Sequence, residues 1–185
     1  MPIRIDRFHL WLSGALVALL AVVLAAYLYF AHFPGAADRA AVEAARVDIK
    51  TFSLFMHRKG CAGDCPTYAV LAKGAGSIEF EGVAFVAAEG SHRAVLDETT
   101  ARALLTEVLR AGFLDVPDVY TPAREGCSEW RAGGEIVNIT VALGERVHGV
   151  DYYYGCVTPH AGLEALVTRV DALLGTARWV GTRRD

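Results

Sequence analysis

Between Leu10 and Ala31 the chain carries no formal charge, and only Ser13 and Gly14 interrupt a run of Leu, Val, Ala and aromatic residues. About 22 residues at roughly 1.5 Å each make a helix of roughly 33 Å, enough to cross the hydrocarbon core of a bilayer. A stretch this apolar is expected to stand apart from a globular core, so the fold has to be built from the residues after Ala31. Trp11 at one end and Tyr27 and Tyr29 at the other are placed like interfacial aromatics. Arg4 and Arg7 precede the run and Asp38 beside Arg39 comes after it, which points the N-terminus to the cytoplasm and the remainder outward. A cleaved signal peptide is the rival reading. Its apolar region is normally about 7 to 15 residues, shorter than this one, although Gly35-Ala36-Ala37 offers a small-residue cleavage site. Both readings export the rest of the chain. The expected division is 1–9 cytoplasmic N-terminus, 10–31 transmembrane anchor, 32–50 tether, 51–180 exported domain and 181–185 tail.

Composition matters at two points. The formal net charge is -3 and no Lys/Arg run occurs beyond Arg183-Arg184. Nucleic acid is therefore disfavoured as a partner, because phosphate neutralisation needs clustered cations. The cysteine count is 4, an even number that suits two disulfides in an oxidising compartment.

After the apolar run, Pro34-Gly35 breaks the helix, and Asp38 can cap a short Ala-rich helix to about Val47. Phe52, Leu54 and Met56 then alternate with polar residues, as a half-buried strand requires. Tyr68, Val70 and Ala72 continue the pattern to Lys73, and Ile78 and Phe80 carry it to Gly82. Phe85-Val86-Ala87 and Arg93 to Leu96 are weaker strand candidates around a turn at Glu89-Gly90. Asp97 is positioned to cap a helix whose apolar face is Ala101, Leu104, Leu105, Val108 and Leu109, ending at Gly112. Pro117 to Gly134 reads as a long irregular segment, the kind that is usually functional, disordered or stapled. Val137, Ile139, Val141 and Leu143 form another strand, Gly144-Glu145 a two-residue turn, and Val147 to Tyr152 the returning partner. Thr158-Pro159 reads as a cap and first-turn proline for a final helix closed by Gly175, with Trp179 packing the tail. The expected fold class is α+β: an antiparallel sheet with two helices packed on one face, preceded by one N-terminal transmembrane helix.

The pattern Cys61, Gly63, Cys65, Pro66 and Tyr68, then Gly76 and Gly82, resembles the opening of the bacterial domain-of-unknown-function family 6438. Gly90, His92, Phe113, Tyr120, Tyr154-Gly155-Cys156, Pro159, Leu163, Leu166, Asp171 and Trp179 extend the resemblance from about Phe52 to Trp179. Many relatives carry a Thr-Asp pair before the late hairpin, where this chain reads Cys127-Ser128-Glu129-Trp130. The resemblance implies a fold and an exported setting but no chemistry. The expected location is the bacterial inner membrane, single-pass, with the C-terminal domain in the periplasm; the alternative is secretion after signal cleavage.

Four cysteines allow three pairings. Cys61 with Cys65 and Cys127 with Cys156 is the expected one, since the first two are close in sequence and the last two flank the hairpin. The functional alternative is thiol-redox chemistry or copper binding. Cys-x-x-x-Cys-Pro is similar to the motif of the Sco-type copper chaperones, thiolates suit Cu(I), and His57 could add a ligand. Two features oppose it: Tyr68 to Lys73 alternates as a strand where that motif would open a helix, and the second cysteine pair has no place in the scheme. Asp118, Tyr120, Asp151, Tyr152 and Tyr154, with Tyr153 among them, form a polar-aromatic set. They read either as sheet-surface residues or as a shallow surface for an envelope protein, a peptide or a glycan. His92, His148 and His160 are isolated and read as ordinary surface residues. No catalytic residue, resident cofactor or metal is expected, and the reading leans away from an enzyme. The chain reads as a membrane-anchored, disulfide-braced, non-catalytic binding or envelope-interaction module.

Overall fold

A computed structural model describes residues 16, 18–28, 36–74, 76–122 and 126–181. The chain divides into two units, residues 1–39 and 40–185. In the first, residues 18–28 are helical with exposed side chains. Among the described residues no helix is long and apolar enough to cross a membrane. Of the expected span Leu10–Ala31, residues 10–15, 17 and 29–31 lie outside the described residues.

Helix α1 (Ala36–Arg46) begins two residues ahead of the anticipated cap, Asp38. Within the stretch read as a tether, Ala40, Ala44 and Ile49 are buried. Arg102 holds the end of α1 by donating from Nη1 to the Ala44 carbonyl at 3.0 Å and the Val47 carbonyl at 3.4 Å. This satisfies carbonyls that a helix end leaves without partners.

The strands are β1 (Phe52–Lys59), β2 (Thr67–Lys73), β3 (Ser77–Ala84), β4 (Gly90–Val95), β5 (Val119–Tyr120), β6 (Ile136–Leu143) and β7 (Arg146–Tyr153). They form one seven-stranded sheet in the order β4-β3-β2-β1-β6-β7-β5. Every pairing is antiparallel except β5 on β7. The register places Met56 opposite Val70 on one side and Ile139 on the other, so the apolar positions of three strands fall on one face. That face packs with helices α2 (Glu98–Arg110) and α3 (Ala161–Leu174) in a single buried cluster. The fold is therefore α+β, with a mostly antiparallel sheet. A short helix α4 (Ala177–Val180) comes last, and Trp179 stacks on Phe80 at 4.9 Å, closing the tail onto the core as anticipated.

Local expectations were met at Asp97, whose carboxylate accepts the Thr100 N–H at 2.9 Å, and at Gly175, which ends α3 with φ of 60°. Three others need correction. Phe85-Val86-Ala87 is not a strand: β3 runs on to Ala84, Phe85 turns the chain at φ of 55°, and Ala87 and its neighbour Ala88 donate instead to the carbonyls of Val180 and Trp179. The cap of α3 is His160 and not Thr158-Pro159, because the His160 Nδ1 accepts the Leu163 N–H at 3.2 Å. The irregular segment contributes a short parallel strand, β5, because β7 still has a free edge, and Asp151 N–H donates to the Asp118 carbonyl at 2.9 Å.

Candidate functional site

Strand alternation builds the site. Phe52, Leu54 and Met56 face the core, and the next residue in that phase is Arg58. Directly across the register stands Tyr68, the first inward residue of β2. A guanidinium on the core-facing phase of a strand needs counter-charges, since burying an unpaired charge is costly. Two arrive. From α3, Asp171 lies one turn beyond Val167, beside the helix's buried face, and accepts Arg58 Nη2 at 2.8 Å and Nε at 3.2 Å on Oδ2. From the end of the irregular segment, Glu135 accepts Arg58 Nη1 at 2.6 Å on Oε2.

Asp171 is fully served. Its Oδ1 accepts the Tyr68 hydroxyl and the Thr176 hydroxyl, the latter at 2.8 Å. Thr176, itself buried, is delivered by the turn at Gly175. Glu135 is less well served: Oε1 is buried without a hydrogen-bond partner. Burial by itself would lower the Arg58 pKa, but Asp171, Tyr68 and Glu135 outweigh it and the net shift is upward. Burial pushes the Tyr68 phenol up, and neighbouring Asp171 adds to the rise. Tyr154 is pushed up to about 12, first by burial and then by the carboxylates Glu135, Glu164 and Asp171, with Arg58 opposing. The guanidinium stays charged and the phenols stay protonated, so the site presents fixed charges and donors.

Arg58, Tyr68, Glu135, Asp171 and Thr176 line a cleft of about 830 Å³, within the usual range of small-ligand sites. Its rim includes Asp64, Cys65 and Pro66 from the cysteine loop and Phe85 from the turn after β3. Ala172, Ala177 and Val180 supply apolar wall.

Both disulfides are present, Cys61 with Cys65 and Cys127 with Cys156. The short one fixes the rim. The long one fixes the segment that delivers Glu135: Arg131 N–H donates to the Gly155 carbonyl at 2.8 Å and Tyr154 N–H to the Glu135 carbonyl at 2.9 Å. Gly155 permits this close approach, since a Cβ there would lie 2.3 Å from the Tyr153 ring and 2.4 Å from the Arg131 carbonyl oxygen.

A family model for a domain of unknown function (DUF6438) matches residues 52–174. The chain belongs to the DUF6438 family. No curated protein matches it. Four of the positions that carry the resemblance, Cys65, Pro66, Tyr68 and Asp171, line the cleft of this DUF6438 domain.

The polar-aromatic set is divided by strand alternation. Asp151 lies with Lys59 Nζ at 3.4 Å and Asn138 Nδ2 at 3.2 Å, on the phase opposite to the core. Its neighbour Tyr152 is buried, donates to Glu164 Oε1 at 2.8 Å and accepts the His160 N–H at 3.2 Å. Asp118 is exposed, 3.8 Å from the His148 Nδ1. Tyr120 meets the His160 ring edge-on at 5.1 Å. Tyr154 packs edge-on against Tyr152 at 5.1 Å and stands near the carboxylates of the cleft. Tyr153 packs with the Cys127–Cys156 bridge, and its hydroxyl donates to the Arg131 carbonyl at 2.6 Å. His57 sits on β1 in the phase opposite Arg58, its pKa lowered by burial and then by Lys59. With Cys61 and Cys65 bonded to each other, neither offers a thiolate in this state. Among the described residues no group of three or more His, Cys, Asp or Glu side chains is placed to hold a metal ion.

Arg58, Glu135, Thr176 and Phe85 were not signalled as a site by motif or spacing. One signal was available: Arg58 and Asp171 are opposite charges in otherwise apolar phases of a strand and a helix, a pattern that calls for pairing inside the fold.

Proposed function

We propose that the chain is a single-pass, N-in membrane protein whose disulfide-braced domain faces the periplasm, and that this domain is a non-catalytic binding module using the cleft beside Arg58. The apolar run Leu10–Ala31 and the paired cysteines support the setting. The observation that carries the binding reading is the cleft itself, an open site of about 830 Å³ whose polar groups are locked in one geometry by Asp171. Pre-ordered groups bind without a large ordering cost. An envelope protein, a peptide or a glycan is the class of ligand proposed.

The test places a photo-crosslinking amino acid at Phe85, on the cleft rim, or at Val95, exposed on β4, in the full chain in its native membrane. Adducts at Phe85 that are absent at Val95 are expected. Equal adducts at both positions, or none at Phe85, overturn the reading. Alkylation under denaturing, non-reducing conditions checks the compartment: no labelled cysteine is expected. Labelled Cys61 and Cys65, or protection only by copper, would put the thiol-redox or copper alternative in its place.

A further inference from the structure

We infer that the cleft selects a ligand bearing a cationic group, an ammonium or guanidinium, on an apolar stem; this rests on the cleft being a binding site. The first observation is charge. Three carboxylates, Asp64, Glu135 and Asp171, line the cleft against the single guanidinium of Arg58, leaving two negative charges in excess. Arg58 is already neutralised. Three of its five N–H donors, one each on Nε, Nη1 and Nη2, serve Asp171 and Glu135, so an incoming anion would share the guanidinium with two carboxylates. It would face those carboxylates at close range, a like-charge contact that specific sites use to reject partners.

The second observation is which acceptors remain. Asp171 receives four hydrogen bonds and is saturated. Glu135 receives one, and Asp64 is exposed on the rim with no ion pair among the described residues. The cleft therefore has unused acceptor capacity and no spare cation. A donor cation supplies what is missing.

The third is the wall beside them. Phe85 is 57% exposed and is the one non-glycine residue with positive φ among those described. A left-handed backbone at a bulky residue is maintained only where the surroundings impose it. Here the Ala87 and Ala88 bonds to the α4 segment impose it, and the ring is held at the cleft. With Pro66 and Val180 it offers apolar surface for a methylene stem and a π face for a cation.

The test titrates the full chain in neutral detergent with three acetylated, amidated tripeptides that have alanine at both ends. Their central residue is lysine, norleucine or glutamate, and the amide NMR signals of Cys65, Thr176 and Gly181 are monitored. The lysine peptide is expected to shift these signals at least tenfold more tightly than the other two, and to weaken at high salt. Glu135→Gln should remove most of that preference. Asp64→Asn, on an exposed rim residue outside the Arg58 network, should reduce it severalfold and keeps the test decisive if Glu135→Gln fails to fold. Equal or tighter binding of the norleucine or glutamate peptide overturns the cationic inference and leaves the binding reading standing. Failure of all three peptides to move the cleft signals overturns the inference together with the cleft as a peptide site.

Discussion

Cys61–Cys65 closes a loop across a sequence separation of 4, and Cys127–Cys156 closes one across 29. The chain-entropy model assigns roughly 2 kcal/mol to the first loop size and roughly 3.6 kcal/mol to the second. Their surroundings differ in the same sense. Cys127 and Cys156 are 1% and 8% exposed and pack with Tyr153 in an apolar cluster of their own, whereas residues 62–64 of the short loop are exposed. The long bridge holds a segment with little regular structure to the end of β7, so that Glu135 arrives at Arg58. The short bridge holds only a strand-to-strand turn, and that turn is cleft rim. One backbone bond joins the two regions, Ala62 N–H to the Gly133 carbonyl at 3.1 Å. The same covalent chemistry thus serves the fold in one place and the outline of a site in the other.

The largest effect should come from the long bridge. Replacing Cys127 and Cys156 together by Ala is expected to cost about 3.6 kcal/mol in urea denaturation of the full chain in detergent. It should also release Glu135, speeding amide exchange through residues 127–135. A loss no greater than that of the short bridge would erase the distinction.

Replacing Cys61 and Cys65 together by Ala should cost about 2 kcal/mol, with faster exchange confined to residues 60–66. Exchange spreading into β6 and β7 would show that the short bridge also carries the fold.

The smallest effect is alkaline, and it separates the two regions by their tyrosines. Tyr68 lies just after the short loop and Tyr154 precedes Gly155-Cys156; both phenols have raised pKa values, Tyr154 to about 12. Unfolded tyrosine ionises near pH 10, so above that pH the unfolded state holds fewer protons than the folded one. The stability due to each raised phenol is complete below pH 10 and declines as the pH climbs toward the folded value. Denaturation at pH 9 and pH 11 should show this loss, and Tyr154→Phe should shrink it. An unchanged pH dependence in Tyr154→Phe would place that phenol in solvent.

Much of the fold was legible because strand and helix periodicities are local. The phases of β1, β2 and β6 and the buried faces of α2 and α3 come from where apolar residues recur. The cap at Asp97 and the turn at Gly144-Glu145 are likewise local chemistry. Where the reading missed, a distant partner decided. Phe85-Val86-Ala87 has strand-like composition, yet the N–H groups of Ala87 and the following Ala88 go to a segment about ninety residues later. Thr158-Pro159 has the letters of a cap, yet the His160 ring beside Tyr120 takes the role.

By itself the sequence determined an uncharged run long enough to span a bilayer, a set of alternating strands and two amphipathic helices. It also determined a cysteine count that pairing could satisfy. Each depends only on side-chain type and spacing along a regular backbone. Only the tertiary structure decided that Arg58, Tyr68, Glu135, Asp171 and Thr176 meet. They come from four separate stretches of chain, and although Arg58 and Asp171 stand out as charges in apolar phases, sequence order does not say which opposite charges pair. Their attraction acts through space, and the fold sets the distances.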